Sequence, residues 1–143
     1  MPVLVLSTLT LASLVGLGLQ LYLSLPEPEE VFERTLGVPV STDVTIVNLQ
    51  QTGFGDHGSV SVCFQAAPET INHIIAARKL QPNSSPPADV GCVTASAAFY
   101  VREAGPGSGS GDHERVNGFS MTAQTLGYDA ATRTAYYVFQ GVD

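Results

Sequence analysis

The chain has 143 residues, of which 13 are acidic and 6 are basic, and its formal net charge is −7. This length allows one small domain and excludes a multidomain enzyme. The acidic balance excludes a nucleic-acid-binding protein, because phosphate binding requires clustered Lys and Arg. The charge is also unevenly distributed, since no charged side chain precedes Glu27.

Residues 3–25 form an uncharged, leucine-rich segment. As a helix it would extend about 34 Å, which is enough to cross the hydrocarbon core of a bilayer. Its leucines also alternate as in a strand, but a single strand cannot satisfy its backbone in lipid. A cleaved signal peptide is the alternative, although the segment lacks a basic n-region and a good cleavage site. We predict a retained transmembrane anchor over residues 1–26 and one domain over residues 27–143.

One side of the predicted anchor helix carries small or polar residues at every fourth position. These residues are Thr8, Ala12, Gly16 and Gln20. Small residues at this spacing let another helix approach closely, and a glutamine in lipid seeks a hydrogen-bond partner. The stripe predicts a contact with a transmembrane helix of another protein. The alternative is that a single-pass anchor simply tolerates such residues.

The domain contains seven predicted helices and strands, separated by segments rich in glycine, proline and polar residues. In chain order they are helix 29–36, strand 43–49, strand 59–66, helix 68–80, strand 90–101, strand 116–126 and strand 134–142. Segment 51–58 is predicted to be a long turn, and segments 81–89 and 102–115 to be loops. This order predicts an α+β fold, in which an antiparallel sheet of about five strands is covered on one face by the second helix.

Alternation within the strands predicts which residues face the core. The predicted core-facing residues are Val60, Val62, Phe64, Val93, Ala95, Ala97, Phe99, Val101, Phe119, Met121, Ala123, Tyr137 and Phe139. Ile74 and Ile75 of the second helix are predicted to pack on this face.

Cys63 and Cys92 are the two cysteines of the chain, and both are predicted to lie on the sheet face opposite the core. Two half-exposed thiols without a metal motif predict a disulfide and an oxidising compartment. Two reduced thiols are the alternative. Arg34, the base nearest the anchor, weakly favours a cytoplasmic domain. The cysteines favour the opposite side, so we predict an extracytoplasmic domain on a single-pass cell-membrane protein.

The segment from Gly53 to Gly58 matches the letters of the dinucleotide-binding pattern G-x-G-x-x-G. That pattern requires a helix after the glycines, whereas a strand-like alternation follows here. We therefore interpret these glycines as turn residues and predict no cofactor.

Candidate catalytic and metal-binding residues occur singly. His57, His73 and His113 share no ligand spacing, so solvation explains them better than a metal site does. Glu69 suits a helix start and Asp129 suits a hairpin turn. No pairing of a nucleophile with a base is evident, and we predict that the protein is not an enzyme.

Two functional classes fit these features. The first is an accessory subunit of a larger respiratory, photosynthetic or transport complex, which contacts integral membrane subunits and lipid. The second is a membrane-tethered binding module for a small apolar ligand or a partner protein. A ligand cavity would be lined by Phe64, Phe99, Phe119 and Phe139, but we expect a core this small to need these rings for packing.

Overall fold

The computed structural model describes residues 26–54, 57–103, 115–116 and 119–142. In these ranges the helices are α1 (Pro28–Leu36) and α2 (Pro68–Arg78). The strands are β1 (Thr45–Phe54), β2 (His57–Gln65), β3 (Gln81–Asn83), β4 (Ala98–Glu103), β5 (Arg115–Val116), β6 (Phe119–Asp129) and β7 (Thr134–Val142). Six of them lie in the order β1-β2-β7-β6-β4-β3, and the two-residue β5 pairs with β6. The predicted antiparallel α+β domain is confirmed, with a six-stranded path rather than about five strands.

The predicted anchor and its contact residues Thr8, Ala12, Gly16 and Gln20 lie outside the described residues. Of the helices that the structure does describe, neither is long and apolar enough to span a membrane.

Helix α1 forms where the sequence predicts it. Pro28 occupies the first turn, where a proline removes no helical hydrogen bond, and Glu29 and Glu30 complement the helix dipole there. The helix ends at Gly37, whose φ of +72° is a left-handed conformation that glycine adopts without strain. The Gly37 amide donates to the Glu33 carbonyl at 2.9 Å.

Helix α2 begins without a capping side chain of its own, because its N-cap residue is Ala67. Asp43, 24 residues earlier, supplies the missing acceptor. Its carboxylate accepts hydrogen bonds from the Ala67 amide at 3.0 Å and the Thr70 hydroxyl at 2.8 Å. The Ser41 hydroxyl bonds to the other carboxylate oxygen. Led by the Ser41 bond, these hydrogen bonds hold the pKa of Asp43 at about 2.

The hairpin of β1 and β2 is longer than the sequence predicts. Its strands continue to Phe54 and resume at His57, which are opposite each other in the register. The expected long turn over residues 51–58 is therefore wrong. The sequence did not indicate this part of the strands, because residues 51–58 are mainly glycine and polar residues, which have little strand propensity.

Two β-bulges change which side chains face the core. In β1 the register shifts between Ile46 and Asn48, and the intervening Val47 is 62% exposed. In β6 it shifts between Met121 and Ala123. After the β6 bulge the buried residues are Gln124, Leu126 and Tyr128. The predicted core position of Ala123 is therefore wrong, since an inserted residue reverses the alternation.

The predicted strand over residues 90–101 is mostly wrong. Only its last part belongs to β4, while the preceding residues form turns across the sheet. Residues 81–83, which were expected to lie in a loop, form the edge strand β3 and pair with β4. Phe99 and Val101 occupy the face opposite the helices, whereas Tyr100 packs with the main core.

The main core lies between one sheet face and both helices, so α1 contributes to the cover as well as α2. The Phe32 ring of α1 meets the Phe64 ring of β2 edge to face, with centroids 5.1 Å apart. In α2, Ile74 is fully buried, whereas Ile75 is only partly buried against the core. The predicted core role of Ile74 is confirmed, and that of Ile75 holds in part.

Buried polar groups connect the helices to the sheet. The Arg78 guanidinium donates to the Arg34 carbonyl at 2.7 Å, and Arg102 donates to the Arg78 carbonyl at 3.2 Å. On the sheet, the Tyr137 hydroxyl donates to the side-chain oxygen Oε1 of the fully buried Gln124 at 2.9 Å. Because buried polar groups are costly unless they are bonded, these contacts fix the relative placement of the elements.

Candidate functional site on the outer face of the sheet

We call the sheet surface opposite the helices the outer face. Its side chains align in rows, because residues opposite each other in neighbouring strands point to the same side. Two rows cross β1, β2 and β7 on the part of the face that no loop of the described residues covers. They are Thr52, Ser59 and Gln140, and then Gln50, Ser61 and Val138.

Strands β1, β2 and β7 contain no Asp, Glu, Lys or Arg at any position. Solvated sheet faces normally carry charged residues, which limit association with other molecules. The outer face across these strands instead presents mainly hydroxyl and amide groups, which both donate and accept hydrogen bonds. Such a surface suits contact with a protein or another neutral polar group rather than with a charged ligand.

A third row, Asn48, Cys63 and Tyr136, lies beside a covering segment over residues 89–97. Cys63 in β2 and Cys92 in this segment form a disulfide, with Cα atoms 6.1 Å apart. The predicted bond is confirmed. Its location differs from the prediction, since Cys92 belongs to an irregular segment and not to a neighbouring strand.

A small second core holds the covering segment on the sheet. Val93, Phe99 and Tyr136 are its buried residues. Gly127 lies beneath them, where a Cβ atom would come within 2.9 Å of both Phe99 and Val93. The Tyr136 hydroxyl donates to Asp89 at 3.2 Å. Burial, assisted by the Asp89 charge, raises the pKa of Tyr136, so this hydroxyl stays protonated and keeps the bond at neutral pH.

The uncovered part of the outer face contains shallow polar depressions. The larger has a volume of about 670 Å³ and spans the end of the β1–β2 hairpin and the end of β7, with Thr52, His57, Ser59 and Gln140 in its lining. A second, of about 300 Å³, lies beside the disulfide and includes Asn48, Gln50 and Ser61. Together they extend along β1 and β2.

An apolar groove lies elsewhere, beside α2. It has a volume of about 480 Å³ and is lined by Val38, Pro39, Ala76 and Ala77. The capping residue Asp43 and His73 also contribute to its lining. It is the feature that best fits the apolar-ligand alternative among the residues described.

The four phenylalanines expected to surround a ligand do not line one cavity. Phe64 and Phe139 are fully buried in the main core, and Phe99 lies in the second core on the opposite face. Phe119 lies at the hairpin end of the sheet. These rings pack in or against the two cores, so they do not form the cavity that the ligand-binding alternative requires.

The glycines of the dinucleotide-like segment serve the sheet. Gly53 is opposite Gly58, and Gly58 is opposite Gly141 in β7. The Phe119 ring lies against this glycine row, since a Cβ atom at Gly58 would be 2.5 Å from it. The expectation of turn residues is therefore wrong for Gly53 and Gly58, which lie in strands and make room for an aromatic ring. Gly55 lies outside the described residues.

The remaining candidates are separate in the structure. His57 begins β2, His73 lies on the exposed side of α2, and His113 is outside the described residues. Glu69 lies in the first turn of α2, and Asp129 accepts from the Ala131 amide at 3.0 Å in the hairpin turn. In the described ranges no three His, Cys, Asp or Glu side chains group as metal ligands do.

Sequence reasoning did not identify the outer face as a site. Its signal was present, because three strands without a charged residue are unusual in a chain with a net charge of −7. The order of the strands was needed to see that these three adjoin. The sequence matches no protein-family model, and neither a curated protein nor a solved structure shows significant similarity to it.

Proposed function

We propose that this chain is a non-catalytic, single-pass membrane protein that serves as an accessory subunit of a larger membrane complex. Residues 1–26 are its anchor, and residues 27–143 form a domain on the extracytoplasmic side. The partner classes in this proposal are respiratory, photosynthetic and transport complexes. The observation that carries it is the outer face across β1, β2 and β7, because these strands contain no Asp, Glu, Lys or Arg.

The physical argument for this face is one of desolvation. A charged side chain loses its hydration when a partner covers it, and this cost is large unless an opposite charge compensates. Hydroxyl and amide groups cost less and regain hydrogen bonds across an interface. A sheet face with Ser59, Ser61 and Gln140 at its centre is therefore suited to being covered by another protein.

Two further observations support the membrane location and the side. Residues 1–26 carry no charged side chain and are long enough to span a bilayer as a helix. The disulfide between Cys63 and Cys92 favours an oxidising compartment. Within the anchor, Thr8, Ala12, Gly16 and Gln20 remain the predicted contact with a partner helix.

The test is purification of the full chain in mild detergent, followed by identification of the proteins that accompany it. Ser59→Lys and Gln140→Lys place a charge on the outer face and should release the partner that covers it. Ala130→Lys in the exposed β6–β7 turn is the matched control and should retain that partner. Two outcomes would contradict the proposal. One is that alkaline washing removes the chain from membranes, and the other is that all three variants keep the same partners.

The apolar groove beside α2 supports a second candidate, a membrane-tethered module for a small apolar ligand. Ala76→Gln and Ala77→Gln would place amides in its lining without reaching the outer face. Saturable binding of a fluorescent fatty acyl probe, lost in these variants and kept in Gln140→Lys, would favour this candidate. Absence of saturable binding would remove it.

A further inference from the structure

The two edges of the sheet differ in how far they are protected against pairing with another strand. The β3 edge is three residues long and contains Pro82, which has no amide hydrogen to donate. The β1 edge is ten residues long and contains neither a proline nor a charged residue. Short strands, prolines, charges and bulges are the usual protections of an edge. The β3 edge has the first two, whereas β1 has only a bulge.

The bulge at Val47 interrupts β1 only near its start. From residue 48 to residue 54 the register with β2 is continuous. On its other side, β1 has no paired strand among the residues that the structure describes. This regular stretch therefore offers its outward backbone groups to a further strand.

The hairpin register indicates which backbone groups those are. Two residues separate Phe54 from His57, and a two-residue hairpin loop is closed by a hydrogen-bonded pair. Bonded and non-bonded pairs alternate in an antiparallel ladder. By this alternation, Leu49, Gln51 and Gly53 direct their amide and carbonyl groups away from β2.

The side chains of this stretch are complementary to a second copy of themselves. Asn48, Gln50 and Thr52 point to the outer face and are exposed. In an antiparallel pair centred on Gln50, Asn48 of one copy is opposite Thr52 of the other, and the two Gln50 side chains are adjacent. All of these groups can both donate and accept, and no like charges are opposed although each chain has a net charge of −7.

We infer that β1 pairs antiparallel with β1 of a second copy of this chain, so that two sheets join into one continuous sheet. The pair is isologous, because the same residues contribute from both copies. The inference goes beyond the proposed function and does not depend on the anchor or on an accessory role.

Disulfide cross-linking of the full chain in mild detergent tests the inferred pair. Gln50→Cys places a thiol at the centre of the pair, and gentle oxidation should give a covalent dimer. Peptide mapping should show that the bond joins position 50 of both copies, with Cys63 still bonded to Cys92. Gln81→Cys on the exposed β3 edge is the matched control and should remain monomeric. No dimer with Gln50→Cys, or equal cross-linking of both variants, would overturn the inference.

A second variant tests the backbone directly. Gln51→Pro removes an amide that points away from β2, so it should leave the domain folded but abolish cross-linking in the Gln50→Cys background. An unchanged circular dichroism spectrum and an intact native disulfide establish the fold. A folded proline variant that still cross-links would overturn the pairing. The proposed function is tested separately, by the membrane proteins that co-purify with the chain. If these partners were retained but the two copies did not pair, the inference would be wrong and the proposed function would stand.

Discussion

The two faces of this sheet are covered in different ways. The inner face is buried by α1 and α2, which contribute large apolar side chains such as Phe32, Leu36 and Ile74. Within the described residues, the outer face is covered by the segment over residues 89–97, which is held by a disulfide and a three-residue core. Apolar burial thus stabilises one face, while a covalent bond compensates for scarce apolar contact on the other.

The largest expected effect concerns the inner face. Ile74→Ala should destabilise the domain by about 4–5 kcal/mol, at the upper end of the range for such truncations, because Ile74 is fully buried. Ile75→Ala, one position along the same helix, should cost clearly less because that side chain is only partly buried. Urea unfolding measures both values. Equal losses would show that the helix lies on the sheet differently from the structure described.

Removal of the disulfide tests the cover of the outer face. A double change of Cys63→Ala and Cys92→Ala opens a link across 29 residues and should cost about 3–4 kcal/mol. Hydrogen exchange should increase in the covering segment while α2 stays protected. Loss of protection across the whole domain at the same denaturant concentration would show that the two faces unfold together.

Substitutions in the glycine row should have a smaller effect on stability, and Gly53 serves as the control for Gly58. Gly58→Ala should cost about 1–3 kcal/mol, because its Cβ atom would lie 2.5 Å from the Phe119 ring. Gly53→Ala should cost less, since its nearest contact would be an ordinary 3.6 Å. In a Phe119→Ala background the cost of Gly58→Ala should disappear. A double-mutant cycle without coupling would place the Phe119 ring elsewhere.

The smallest effect concerns the remote cap of α2. The folded state lowers the pKa of Asp43 from 3.8 to about 2, so the folded state binds the proton more weakly than the unfolded state does. This contribution is present above pH 3.8 and disappears as the pH falls through about 2. Asp43→Asn should therefore show a weaker dependence of the unfolding midpoint on pH in this window than the native chain. If the unfolding midpoints of the two proteins changed equally with pH, the Asp43 cap would not contribute to stability.

The sequence was sufficient wherever a local signal determined the structure. The helix predicted over residues 29–36 forms as α1, and the two cysteines indicated their bond. The sequence could not show the bulges beside Val47 and Met121, because an inserted residue depends on the partner strand. The β6 bulge reverses the alternation, so the core assignment of Ala123, which follows it, is wrong. The outer face required strand order, which depends on contacts distant in sequence.

The position of β7 has a consequence for how the molecule is made. This strand, Thr134–Val142, lies in the interior of the sheet, between β2 and β6. His57 is opposite Val142, so the two halves of the sheet meet through residues that are far apart in the sequence. While residues 134–142 are still inside the ribosome, the β1–β2 hairpin has already emerged. The backbone groups on the inner edge of β2 then have no partner strand. Because such distant pairing is slow, the inner edge of β2 stays unpaired until β7 arrives, and this edge is open to aggregation at that stage of synthesis.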